Sequence, residues 1–145
     1  MPVLLIFTAC EKVIIDRNEL ISLISIIEKL EVTLPAGLQI PPHSAFPMRW
    51  QSFSMWSMDR SEVGQYEQKT DVLVVESGDI AMHTEPIRLE STTAGPRPGA
   101  KIISALAAVP IVNGLLHLRL FYRRIGEEQW THAATFPIEV VVTQQ

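Results

Sequence analysis

A single cysteine, Cys10, stands in this chain of 145 residues, so no disulfide can close within it. The fold therefore does not depend on an oxidising compartment. No apolar run approaches the ~18 residues that cross a bilayer as a helix. Cations are few: 12 Lys and Arg stand against 16 Asp and Glu, a net charge of −4. That balance argues against nucleic acid as a main partner, because phosphate binding rests on clustered Lys and Arg. There is no Gly-x-Ser-x-Gly elbow, no phosphate-cradling glycine loop and no dinucleotide fingerprint. Internal repeats and low-complexity tracts are also missing, so nothing marks a second domain and residues 1–145 read as one. At the N-terminus, Phe7-Thr8-Ala9-Cys10 faintly resembles a lipoprotein cleavage box. Met1-Pro2 carries no basic residue, however, and only Val3–Phe7 is continuously apolar, too little for a secretory signal. A cytoplasmic protein is the expectation.

Apolar material is plentiful. Hydrophobic residues make up 47% of the chain, enough for a core at this length. They come in short runs broken by turn chemistry: Val3–Cys10, Val13–Ile15, Leu20–Leu34, Val72–Val75, Lys101–Val112, Leu115–Tyr122 and Phe136–Val142. Such spacing predicts an all-β domain, an antiparallel β-sandwich of immunoglobulin-like character with about seven to nine strands. Val3–Ala9 is apolar at both parities, which suits a central or covered strand. Glu11 and Lys12 interrupt it at an expected bulge or edge, where charge discourages foreign pairing. Asp16-Arg17-Asn18 tolerates a tight turn.

Leu20–Leu34 is ambiguous. Leu20, Leu23, Ile24, Ile27 and Leu30 have helical spacing, yet Ile21, Ile24, Ile26, Ile27 and Val32 are β-branched. Strand is favoured, because a helix would carry apolar groups on its outer face. Pro35–Pro47 holds four prolines and Gly37 and reads as a long loop or lid. Strands are expected at Met48–Trp56 and Gln65–Glu76, with a short edge strand at Thr84–Glu90 because Pro86 cannot donate to a central ladder. Residues 94–99 form a breaker, and Gly114–Arg124 with Gln129–Val142 reads as the closing hairpin.

Cys10-Glu11 ending an apolar strand, Val13-Ile14-Ile15, a short turn and Ser22-Leu23-Ile24 together resemble a bacterial family of unknown function. Pro137-Ile138-Glu139-Val140 near the end extends the resemblance loosely along the chain. It implies a small single-domain β-sandwich with a Cys-Glu first strand and a Ser-Leu-Ile second strand. It implies no activity.

Candidate chemistry is sparse. Cys10 reads as a small buried hydrophobe rather than a nucleophile, having no histidine beside it. His43, His83, His117 and His132 form no His-x-His or His-Glu-x-x-His pair, so no metal site is assigned. His117 and His132 lie on opposite arms of the last hairpin and could meet across it. No catalytic residue and no cofactor is assigned, and the chain is read as a non-enzyme.

Two patches are candidate surfaces. His117, Arg119, Phe121 and Arg123 alternate with apolar residues and should share one strand face, with Glu139 or Glu128 available to neutralise the arginines. Trp50, Phe53 and Trp56, with Met55 and Met58, are of both parities, so they line a covered core strand, a pocket or an interface. Glu62, Glu67 and Asp71 are near in sequence, with nothing to set them apart from a solvated strand face. The leading expectation is a self-associating interaction or assembly module, a homodimer or a binder of another protein. The rival is a small-ligand binder with the Pro35–Pro47 loop as lid.

Overall fold

The computed structural model describes residues 1–91 and 95–145; Ala94, at the head of the expected breaker, lies outside the described residues. Among the described residues ten strands run in chain order: β1 (Val3–Ile15), β2 (Ile21–Ile26), β3 (Lys29–Leu34), β4 (Ala45–Ser57) and β5 (Tyr66–Val74), then β6 (Ile80–His83), β7 (Ile87–Arg88), β8 (Gly99–Pro110), β9 (Gly114–Arg124) and β10 (Thr131–Gln144). One sheet has the order β2-β1-β4-β8. The other runs β3-β10-β9-β5, with β6 and β7 placed one after the other on the remaining edge of β5. Among the described residues, no helix is long and apolar enough to cross a membrane.

The fold is all-β in two sheets, as the run spacing predicts, with more strands than expected. Leu20–Leu34 is extended, but it is not one strand. It breaks at Ile27-Glu28, where Ile27 donates its N–H to the Ala9 carbonyl, and β2 and β3 enter different sheets. β3 thereby arrives running in the same direction as β10, and the two pair in parallel from Glu139 opposite Lys29 to Gln144 opposite Leu34. The expectation of a wholly antiparallel sandwich is corrected there. The edge strand expected at Thr84–Glu90 is reduced to Ile87–Arg88, with Pro86 outside any strand. Pro47 lies inside β4, at a register shift between Pro47 and Trp50.

Alternation sends one parity of most strands to the space between the sheets. Trp50, Val72, Leu116, Leu118 and Ile138 fill its larger part; Trp56, Met58, Leu89 and Leu120 fill the rest. A polar seam crosses this interior. The Gln68 Oε1 accepts from Ser54 Oγ at 2.6 Å and from the Trp56 indole at 2.8 Å, satisfying two buried donors with one acceptor. The Trp50 indole donates to the Ala108 carbonyl at 2.9 Å.

A third apolar cluster lies on the opposite face of the four-stranded sheet. β1 stays paired to β4 only as far as Cys10; beyond it, the Gln51 side chain accepts the Val13 N–H at 2.7 Å. Glu11 and Lys12 are exposed in succession at this parting, and Ser25, across the hairpin, has a φ of 54°. From there the β1–β2 arm curls back over its own sheet. Val13, Ile15, Ile21 and Leu23 pack on Cys10, Phe53, Met55 and Ile6. The turn between β1 and β2 is held by Asp16, whose carboxylate accepts from the Asn18 and Leu20 N–H groups. Glu19, at the tip of this turn, closes the curl with an ion pair to Lys101 on β8 at 3.0 Å.

Candidate interaction face

β5 lies between β9 and the short strands β6 and β7, and its alternation turns Glu67, Lys69, Asp71 and Leu73 to the outer side of the sheet, where Asp71 is buried and the other three are half-buried. The register sets Arg123 opposite Glu67, Phe121 opposite Lys69, Arg119 opposite Asp71 and His117 opposite Leu73. All four residues of the expected β9 face therefore share one surface, while Leu116, Leu118 and Leu120 between them are fully buried. Cross-strand neighbours of opposite charge attract at this spacing.

Both arginines are fixed. Arg119 makes a bidentate pair with Asp71, Nε to Oδ1 at 2.8 Å and Nη2 to Oδ2 at 2.7 Å. The hydrogen bond that Arg119 donates to Asp71, working against burial, raises the guanidinium's pKa further. Arg123 Nε donates to Glu67 at 2.7 Å. The neutralising carboxylates are thus Asp71 and Glu67 rather than Glu139 or Glu128; Glu128 offers Arg123 only its backbone carbonyl. Planar forks matched to carboxylates in this way are short, strong and directional.

Aromatic rings tie the ladder together. Arg123 sits over the Trp130 ring at 4.2 Å, and Arg119 lies 5.1 Å from the centroid of Phe121. The Lys69 ammonium lies 4.6 Å from the Trp130 ring and 5.7 Å from Phe121. Phe121 in turn contacts His132 at 5.3 Å, and His132 Nε2 is 2.8 Å from the Thr135 hydroxyl. His117 and His132 do not meet: β9 and β10 are in a register that sets His117 opposite Pro137 and His132 opposite Phe121. The result is a half-buried plate of arginine, lysine and aromatic groups on a rigid sheet. Sequence reading supplied the β9 side only. Lys69 and Trp130 were missed, although the alternation of Gln65–Glu76 already put Glu67, Lys69 and Asp71 on one side. What it lacked was the register.

Trp50, Phe53 and Trp56 lie elsewhere, each at most 1% exposed. Trp50 and Trp56 pack between the sheets, and Phe53 packs under the β1–β2 arm. A cleft of about 500 Å³ opens instead where the Pro35–Pro47 segment meets the ends of β5 and β8. His43, Ala45, Val74, Met82 and Val112 form part of its wall, and Glu76 and Asp79 lie in its rim. No group of three or more His, Cys, Asp or Glu side chains is placed to hold a metal ion among the described residues. Family models, curated proteins and solved structures gave no match to this chain.

Proposed function

We propose that this chain is a non-catalytic protein-interaction module of immunoglobulin-like layout that self-associates in the cytoplasm. The single observation that carries the reading is the plate on β5, β9 and β10. Its arginines and rings are immobilised by one another, so a partner docking there loses little further side-chain freedom. Arg and Trp are the side chains that most often dominate protein interfaces. The layout supports the scaffold class. β4 and β8 lie together in one sheet and β5, β9 and β10 in the other, the same division as strands B, E and C, F, G of an immunoglobulin domain. The Cys10-Glu11 opening fits the β-sandwich family of unknown function that it resembles.

A second reading rests on the cleft. Its volume lies within the range of small-molecule sites, and His43 and Ala45 of the Pro35–Pro47 segment form part of its wall, which supports a ligand binder with that segment as lid. Native mass spectra of the purified protein, recorded at several concentrations without added ligand, separate the two. Multiples of the bare chain mass are the expected result. A reproducible extra mass on every chain would favour the ligand reading. A monodisperse monomer of bare mass at high micromolar concentration would refute self-association.

A further inference from the structure

We infer that two copies of this chain join edge to edge through β8, in antiparallel alignment across a two-fold axis near Ile103. The inference rests on the self-associating module proposed above and names the surface and the partner. β8 spans 12 residues, and among the described residues only β4 pairs with it. In an ABED-type sheet the strand at this position has a further neighbour, strand D. Here the chain between β5 and β8 supplies β6 and β7, and both pair with β5 in the other sheet. Among the described residues, no second strand lies beside β8.

The direction of its backbone groups follows from the ladder. Met58 donates its N–H to the Pro98 carbonyl at 3.0 Å, which makes that pair hydrogen-bonded. Antiparallel alternation then turns Ala100, Ile102 and Ser104 toward β4, and turns the N–H and C=O groups of Lys101, Ile103 and Ala105 outward. These groups match an extended backbone.

The other edges carry protection that residues 102–109 of β8 lack. β2 is six residues long and kinked by the left-handed Ser25. β3 bears Lys29 and Glu31, and β6 and β7 have four and two residues. From Ile102 to Val109, β8 has no charge, proline or glycine, and Ile103 is 39% exposed. Long, uncharged edges of this kind template pairing with another chain. A second copy is the fitting occupant because the edge is self-complementary. About a dyad at Ile103, each Lys101 faces Ala105 of the partner copy, and its charge is already matched by Glu19. No like charges meet. One strand edge buries less surface than the ~1,200 Å² typical of stable complexes, so the dimer should be of micromolar strength.

Sedimentation equilibrium from low to high micromolar concentration, with amide hydrogen exchange on the same samples, tests this. The wild-type chain should dimerise, and the amides of Lys101, Ile103 and Ala105 should gain protection only as dimer forms. Ile103→Lys puts charge on the edge, and Ala105→Pro removes an outward donor without touching the β4 ladder. Each should weaken dimerisation by about tenfold or more, whereas Ile24→Lys on β2, at similar exposure, should not. Urea midpoints check that each variant still folds. A dimer that survives both β8 variants and yields to Trp130→Ala would overturn the edge inference and leave the module reading standing. A wild-type monomer throughout would overturn both. Protection of the three amides at every concentration would mean that the edge is covered within one chain, and would also overturn the inference.

Discussion

Cys10 sits at the parting of β1 from β4, under the curled arm and fully buried. Burial, only partly offset by a hydrogen bond from the Lys12 backbone, raises its thiol above the ordinary value. A raised folded-state pKa contributes stability that is complete below the unfolded value, about 8.5, and is lost as pH rises from there through the folded value. Stability should therefore decline on the alkaline side, and Cys10→Ala should flatten that decline in urea titrations run at successive pH values. Native protein should also resist thiol alkylation until it unfolds; rapid labelling at neutral pH would contradict the packing described. Ser25 tells of strain instead. Its φ of 54° is a conformation that glycine adopts freely and other residues adopt at a penalty of about 1–2 kcal/mol. Ser25→Gly recovers part of that penalty and loses some to a more flexible unfolded chain. A net gain of roughly 0.5 kcal/mol in chemical denaturation is expected.

The elements were legible in proportion to how local their causes are. Apolar runs and turn residues such as Asp16-Arg17-Asn18 mark strands and turns within a few positions, and β1, β5, β9 and β10 are found close to where they read. The split of Leu20–Leu34 was hidden, since no glycine or proline marks Ile27-Glu28. The break is made by a distant partner, the Ala9 carbonyl. The interaction face was half visible for the same reason. Alternation groups residues on one strand, but only the register tells which carboxylate meets which arginine. Asp71 is the test of that register. Asp71→Ala removes a bidentate acceptor and leaves Arg119 without its partner, and should destabilise the fold by about 1–3 kcal/mol. A double-mutant cycle with Arg119→Ala should return a clear coupling energy, and a coupling near zero would show that the pair merely tolerates its position.

At the scale of the molecule, the defining feature is the parallel pairing of β3 with β10, which also brings the Thr33 and Thr143 hydroxyls within 3.4 Å. Leu30, Val32 and Leu34 reach the core only through this pairing. Contacts so far apart along the chain pay their loop-closure entropy late, so refolding should be slow for the size, in milliseconds to seconds. If β3 docks last, Val32→Ala should mainly speed unfolding and leave the refolding rate nearly unchanged in stopped-flow measurements. Equal slowing of refolding would instead place β3 in the nucleus. The same pairing has a meaning for a growing chain. Thr33 and Thr143 are 110 residues apart, a gap that takes roughly 5–20 s to synthesise at cellular elongation rates. Through that interval the apolar residues of β3 have left the ribosome with no strand to receive them, and the nascent protein depends on delay or on chaperones to keep them from a neighbour's.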